Sequence, residues 1–287
     1  MNLQSDIKIG DIKKGLYVVS TPIGNLNDIT LRAIEILKKS DYILCEDTRV
    51  SRKLLSHFNI NGNLLSNHKF NEKKNINNFI KILKRNKIVS IISDAGTPTI
   101  SDPGRILIKE CINNKIDIYP IPGPSAVTAA ISVSGFSDKY YFYGFLPEKK
   151  SKIDKDFKIL SKLDNSIIFF ISAKKINKII YQFKKYFLDR DIFVCKEISK
   201  YFEEYFRSSV QNLFEFKKDL KGEITVVISE KKHKQEELKK LNESDKKKIK
   251  VLIKKLSIKD IIKIFVDEKD VSKKEIYNYC LFLKNEN

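Results

Sequence analysis

Short apolar runs alternate with amphipathic stretches through the first half of the chain. Continuous runs at 16–19, 42–45, 88–92 and 116–119 have the character of strands buried on both faces. Between the first two, Ile29, Ala33, Ile36 and Leu37 share one face of a helix that Asp28 or Thr30 is placed to cap, with Glu35 and Lys39 paired at i, i+4. Leu54, Leu55 and Phe58 predict a second helix, and Ile76, Phe79, Ile80 and Leu83 a third over about 75–85. Helices over 105–113 and, built of small residues, over 126–134 complete the half. This alternation predicts a mainly parallel sheet with helices on both faces.

The second half changes character. Aromatic strands are expected at 140–145, 167–171, 192–196 and 224–228, with helices over 151–163 and 174–187 and a further strand of a hairpin or meander within 203–210. That predicts a second α/β domain whose sheet is more mixed. From about residue 231 the chain turns strongly polar, a linker composition that takes in Lys246, Lys247 and Lys248. Residues 248–284 then predict two or three short amphipathic helices, of which 257–283 has the layout of a helix-turn-helix. The expected organisation is a flexible lead-in over 1–14, α/β domains over 15–136 and 137–230, and a linker with a C-terminal helical appendage over 231–287.

Candidate chemistry lies at the strand ends. The run at 88–92 stops at Ser93-Asp94, and the loop to the next helix carries Gly96, Pro98, Pro103 and Gly104. Loops of similar Pro/Gly content, 20–28 and 120–126, follow two other strands of the same half. Ligands of open α/β sheets bind beyond the carboxyl ends of the strands, so three such loops predict one shared crevice. The strand at 42–45 ends in Glu46-Asp47-Thr48-Arg49, a position where solvated turn residues and catalytic residues both occur. No G-x-G occurs among the ten glycines, which removes the dinucleotide fingerprint and the P-loop. A Pro-rich backbone suits an adenine edge and a positive centre better than a polyphosphate.

Composition adjusts this picture in a few places. A length of 287 residues accommodates two domains with their own cores. The net charge of +19 comes from a chain in which Lys outnumbers Arg 48 to seven and Lys, Ile and Asn dominate, as expected under an A/T-rich genome. The charge is compatible with an RNA substrate without being evidence for one. Arg32, Arg49, Arg52 and Arg105 lie beside the proposed loops, which is more informative than the total. Cys45, Cys111, Cys195 and Cys280 are scattered and read as reduced, buried thiols. With His57, His68 and His233 they form no metal-ligand spacing, and no metal site is expected. No nucleophile motif includes a histidine. Apolar runs such as 167–171 are too short to span a bilayer and no signal peptide is evident, so a cytoplasmic protein without membrane contact is expected.

Six ordered motifs carry a resemblance. They are Thr21-Pro22-Ile23-Gly24-Asn25-Leu26, Glu46-Asp47-Thr48-Arg49, Ser93-Asp94-Ala95-Gly96-Thr97-Pro98, Asp102-Pro103-Gly104, Pro122-Gly123-Pro124-Ser125-Ala126 and Gly144-Phe145-Leu146-Pro147. In order and spacing they resemble the bacterial ribosomal RNA small subunit methyltransferase I family of the tetrapyrrole-methylase superfamily, over nearly the whole chain. The resemblance implies two α/β domains of the tetrapyrrole-methylase type with a small C-terminal helical appendage, and S-adenosyl-L-methionine in the cleft between the domains. It further implies a homodimer, and 2'-O-methylation of a cytidine in the decoding region of 16S rRNA within the small ribosomal subunit. Its cofactor loops fall on Pro22 and Gly24, on Asp94, Ala95, Gly96, Thr97, Pro98, Ile100 and Ser101, and on Ser125 and Ala126.

Methyl transfer to a ribose hydroxyl needs in-line positioning and a group that takes up the proton. Glu46, Asp47 and Asp28 are the candidates for that group or for orienting the ribose, with Arg49 fixing a phosphate or locking Asp47. The alternative for Glu46 to Arg49 is a structural ion pair bracing two loops. One segment departs from the family pattern. Where relatives usually read Phe-Tyr-Glu-Ser-Pro-His-Arg, this chain has Phe169-Phe170-Ile171-Ser172-Ala173-Lys174-Lys175, losing a carboxylate, an imidazole and a guanidinium together. Two rival readings stay open: C-methylation of a tetrapyrrole, and a ribosome-binding assembly factor that keeps the fold without catalysis.

Overall fold

The computed structural model describes residues 12–216, 222–232, 241–268 and 271–285. Of the expected lead-in, 1–11 lie outside the described residues, as do 233–240 of the expected linker, His233 included. The chain divides into two compact units, one ending at Lys231 and the other beginning at Lys232.

The first unit contains two five-stranded sheets. In the first, β1 (Gly15–Val19), β2 (Tyr42–Cys45), β3 (Leu64–Ser66), β4 (Ile88–Ile91) and β5 (Ile118–Ile121) are all parallel, in the order β3-β2-β4-β1-β5. The helices between them are α1 (Leu31–Lys39), α2 (Thr48–His57), α3 (Glu72–Lys84) and α4 (Arg105–Asn113). From β1 to β3 the chain steps toward one edge, and from β3 to β5 it steps back. Right-handed crossovers therefore place α1 and α2 on one face and α3 and α4 on the other. The cores follow that division. Tyr17, Val19, Ile43 and Cys45 pack with Ala33, Ile36, Leu37 and Leu55, whereas Leu16, Leu44, Val89 and Ile91 pack with Phe79, Leu83, Leu107 and Cys111. Burial on both faces is why these strands read as continuous apolar runs.

Two strands differ from expectation. The edge strand β3 has only three residues, all half-buried, and leaves no apolar run to detect. The last strand starts at Ile118 instead of 116 and runs through Pro120, which an edge position tolerates because no ladder hydrogen bond is demanded on its outer side. Thr30, not Asp28, caps α1, accepting from the Ala33 amide at 3.1 Å.

Gly104 opens α4 with φ +119 and has no side chain to cap it. The cap comes from another helix. One carboxylate oxygen of the buried Glu72 accepts the amides of Gly104, Ile106 and Leu107 at 3.1, 3.0 and 3.1 Å. An acceptor at a helix N-terminus is favoured by both the orphan amides and the dipole. This clamp fixes where the loop 92–104 ends.

The second sheet has the order β6-β7-β10-β8-β9, with β6 (Tyr140–Phe145) and β7 (Ser166–Ser172) parallel and β8 (Asp191–Lys196), β9 (Glu204–Ser209) and β10 (Glu223–Ile228) joined antiparallel, the expected mixed sheet. Helices α6 (Lys150–Leu160) and α7 (Ala173–Phe187) cover one face, packing Phe157, Phe183 and Phe187 with Phe169 of β7. The opposite face carries Ile168, Phe193, Cys195 and Val227, and against these pack Val127 and Ala130 of α5 (Ala126–Ser132). The small helix that leaves the first sheet thus wedges onto the second. Arg190, 1% exposed, pins the far end by donating to the carbonyls of Ser161, Leu163, Asn165 and Ser229.

The second unit packs α8 (Glu243–Leu252), α9 (Ile258–Glu268) and α10 (Lys273–Asn285) around Ile249, Ile261, Phe265, Ile276 and Cys280. Lys246, Lys247 and Lys248 lie inside α8, not in a linker, because Asn242 and Asp245 form a capping box just ahead of them and Ile249 anchors the turn that follows. All four cysteines are buried and unpaired. Among the described residues no helix is long and apolar enough to cross a membrane.

Replacing Glu72 by Ala would leave three helix-start amides without their acceptor. A loss of about 3 kcal/mol is expected in urea unfolding, with Glu72→Gln, which keeps an acceptor oxygen, losing about 1 kcal/mol.

Candidate functional site

The loops after β1, β4 and β5 are stitched to one another. Thr21 and Gly96 exchange backbone hydrogen bonds at 2.9 and 3.1 Å, and the Thr21 hydroxyl donates to the Ser93 carbonyl at 3.1 Å. Gly96 holds φ +79, and a Cβ there would sit 3.3 Å from Ile23 Cγ2. The Thr97 hydroxyl shares a hydrogen bond with Ser20 Oγ at 3.0 Å and donates to the Pro124 carbonyl at 3.2 Å, bringing in the third loop. Thr99 and Ser101 both sit at positive φ, 71 and 73°. A β-branched residue there is a costly conformation, the kind that clusters where a loop is shaped for a ligand.

Beyond these loops lies a cavity of about 340 Å³, within the range of small-molecule sites. The first sheet contributes Ile23, Asp94, Ala95, Gly96, Thr97, Ile100, Ser101, Asp102, Ser125, Ala126 and Val127, and the second contributes Phe145, Phe170, Ile171, Ser172, Glu197, Ile198, Lys200 and residues 222–225. Of the expected cofactor residues, Asp94, Ala95, Gly96, Thr97, Ile100, Ser101, Ser125 and Ala126 line it. Pro22 and Pro98 are buried behind the wall, and Gly24 lies in an adjoining groove. A Cβ on Gly24 would overlap the Lys200 side chain and approach the Ile198 carbonyl at 3.1 Å, so glycine allows the β1 loop to close against the second sheet.

Glu46, Asp47, Arg49 and Asp28 do not line the cavity. Asp47 caps α2, accepting from the Arg49 amide at 2.8 Å and from its guanidinium at 3.1 and 2.6 Å. Those Arg49 hydrogen bonds hold its carboxyl down at about 2. The Asp47 amide in turn donates to Asp94 at 3.3 Å, tying the β2 end to the β4 loop. Asp28 accepts from the Ser199 hydroxyl at 2.7 Å, and the Asn25 amide donates to that hydroxyl at 2.9 Å, a latch between the two sheets.

The carboxylates that remain behave differently. Burial, then repulsion from Glu46, pushes Asp102 up to about 6, while a hydrogen bond from Ser93 only partly opposes the rise. Glu46 is raised by burial and by Asp94, and Asp94 by burial. Glu46, Asp94 and Asp102 therefore form one electrostatically coupled group at the ends of β2 and β4. Asp102 belongs to the Asp102-Pro103-Gly104 motif, but its burial and its carboxylate neighbour on another strand are invisible in the sequence. The wall from the second sheet was missed for the same reason. Two segments pointed to it: the 144–147 motif, whose Phe145 stands in that wall, and the altered segment, whose Ile171 and Ser172 stand there while Lys175 pairs with Glu148.

Residues 15–213 match the family model for Tetrapyrrole (Corrin/Porphyrin) Methylases. Proteins called ribosomal RNA small subunit methyltransferase I are similar over most of their length. The one from Rickettsia prowazekii is 42% identical over 93% of this chain and 96% of its own. The Thermotoga maritima protein is 44% identical over 75% and 97%, and that of Mesomycoplasma conjunctivae 42% over 79% and 99%. The chain belongs to the ribosomal RNA small subunit methyltransferase I family. The fold is similar to that of uroporphyrin-III-C-methyltransferase from Thermus thermophilus, with TM-score 0.53 and 14% identity over 75% of this chain and 93% of that one. The family model spans β1 to β9 and takes in the first wall of the cavity and, of the second, Phe145, Phe170 to Ser172, Glu197, Ile198 and Lys200, leaving 222–225 outside; the departure at 169–175 falls on that second wall.

The raised Asp102 gives a stability signature. Its native pKa lies above the roughly 3.9 of an unfolded Asp, so its contribution to stability is complete below pH 4 and is lost as pH rises through about 6. Asp102→Asn is expected to match the wild type near pH 4 and to exceed it by about 1–2 kcal/mol above pH 6.5, read as a difference in Tm across the two pH values.

Proposed function

We propose that this protein transfers the methyl group of S-adenosyl-L-methionine to the 2'-oxygen of a cytidine in 16S rRNA within the small ribosomal subunit. The observation that carries the reading is the cavity at the three stitched strand ends, in a chain of this family. Its residues fit the cofactor: Ile23, Ile100, Phe145, Phe170 and Ile224 offer apolar walls for an adenine, the 94–97 backbone offers polar edges, and Asp94, Asp102, Glu197 and Glu223 favour a cationic centre. When bound there, S-adenosyl-L-methionine would supply an electrophilic methyl carbon on a sulfonium.

The chain's own part is positioning and proton uptake. The braced loops hold a reacting hydroxyl in one place, which lowers the entropic cost of reaching the in-line geometry. Asp102 is the group best suited to accept the proton, since it lines the cavity and its pKa of about 6 makes it both ionised at neutral pH and far more basic than Asp47. Glu46 acts through Asp102 by raising it, and Asp47, Arg49 and Asp28 act as braces. The positive φ of Gly96 and its close approach to Ile23 make it the residue on which the cofactor loop turns. The homodimer and RNA contact by the Lys-bearing C-terminal helices belong to the same proposal.

Labelled methyl transfer to unmodified small subunits, with naked rRNA and a porphyrinogen as parallel acceptors, tests the reading. Label on a cytidine 2'-oxygen is the expected result, and label on the porphyrinogen alone would overturn it. Asp102→Asn is expected to lower kcat at least a hundredfold with cofactor binding retained, and the wild-type rate to rise with pH through about 6 as the base ionises. Gly96→Val should abolish binding of labelled cofactor.

A further inference from the structure

Beside the cavity, the second sheet carries a feature that the chemistry within the cavity does not explain. The loop between β8 and β9 presents Tyr201 and Phe202 to solvent, 94% and 69% exposed, with ring centroids 5.0 Å apart and edge-to-face. Adjacent large rings left in water mark a surface that meets something else. The loop that carries them is braced. The Ser199 amide donates to Glu203 at 2.9 Å, and Glu203 also accepts from the Tyr205 hydroxyl. Lys200 is held by Glu197 at 3.0 Å and Glu223 at 3.2 Å. Glu197 and Ser199 both take left-handed φ, 53 and 67°. Holding two rings outward on a strained, pinned loop favours a preformed contact surface.

Next to the rings runs a groove lined by Asn25, Asn27, His57, Ser199, Lys200 and Glu203. Lys200 also lines the cavity, so the groove begins where the cavity ends. We propose that Tyr201 and Phe202 form a stacking platform for an unpaired base of the substrate RNA, adjacent to the nucleotide whose ribose enters the cavity. The inference rests on the RNA reading of that cavity. A ribose 2'-oxygen within a folded RNA is reached by splaying the strand, and the bases beside the target lose their stacking partners. An aromatic face replaces that stacking for any base. The groove offers amides and an imidazole that can meet base edges, while its lysine is already neutralised by two carboxylates, so it suits a base and not a phosphate. Two rings are also far short of the roughly 800 Å² per partner that a stable contact between proteins buries.

The test compares wild type with the double variant Tyr201→Ala/Phe202→Ala in labelled methyl transfer to unmodified small-subunit rRNA. Binding of labelled S-adenosyl-L-methionine, the salt dependence of RNA binding and the oligomeric state are measured in parallel. The expected result is a KM for RNA raised about tenfold or more, with cofactor Kd unchanged. The salt slope should also be unchanged, since no phosphate contact is lost, and Tyr201→Phe/Phe202→Tyr should recover the wild-type KM. An unaltered KM in the double variant overturns the platform and leaves the methyltransferase reading standing. Dissociation of a dimer in step with the loss overturns it too, by assigning the rings to a contact between copies. Failure of the wild type to label RNA overturns the reading of the site, and the platform falls with it.

Discussion

The paired backbone hydrogen bonds between Thr21 and Gly96 set the geometry of the carboxyl edge of the first sheet. They join β1 and β4, neighbours whose following helices leave to opposite faces, so that the chain parts between them and a crevice opens. Left alone, such a crevice would have a width set by two mobile loops. The pair fixes it, and Thr97 extends the same network to the loop after β5. The exchange is possible because Gly96 accepts φ +79, and the strain at Thr99 and Ser101 is held in place by the Glu72 clamp where α4 starts.

A crevice on one sheet binds a ligand on one side only. The second wall arrives because α5 is short and built of small residues. Ala130 allows the helix to lie against Ile168, Phe193 and Val227, which brings the cavity-lining ends of β7 and β10 opposite the β4 loop. The latch of Asp28 and Asn25 on Ser199, made possible by the bare Cα of Gly24, then closes the side of the cavity. Residues that look catalytic on chemical type, Asp28 and Asp47, serve as braces in this arrangement. Both carry fixed hydrogen-bond partners, and those of Asp47 hold its carboxyl well below the usual range.

Most elements of both sheets were legible from the sequence because doubly buried strands leave continuous apolar runs and amphipathic helices leave a 3.6-residue period. The strand β3 escaped because an edge strand of three half-buried residues leaves neither. The strand at the opposite edge, β5, was misplaced by two residues because Pro120 argued against a strand that an edge position permits. The loop residues 94–101, with Ser125 and Ala126, were legible because Gly and Pro at strand ends have positional meaning. The places of Glu197 and Glu223 were not, since nothing in a linear pattern says which strand of a second sheet will face a loop of the first. Asp102 shows the same limit in its chemistry: its basicity comes from burial and from Glu46, a residue on a different strand.

The charge distribution completes the logic. The chain as a whole carries +19, yet the cavity is lined by Asp94, Asp102, Glu197 and Glu223 against a single lysine that is already paired. An RNA phosphate is drawn to the outer surface and repelled from the cavity mouth, whereas a cationic donor is drawn in. On the proposed reading that sorting is useful, because the reacting part of the nucleotide is an uncharged ribose hydroxyl, and phosphates are best held outside by lysines. The burial and the crowding of carboxylates that make Asp102 basic also make its ionised form unfavourable in the folded state. Burial and that repulsion together cost the fold stability at neutral pH and, on the proposed reading, supply the site with its base, which is the trade a catalytic carboxylate in a half-buried cavity has to make.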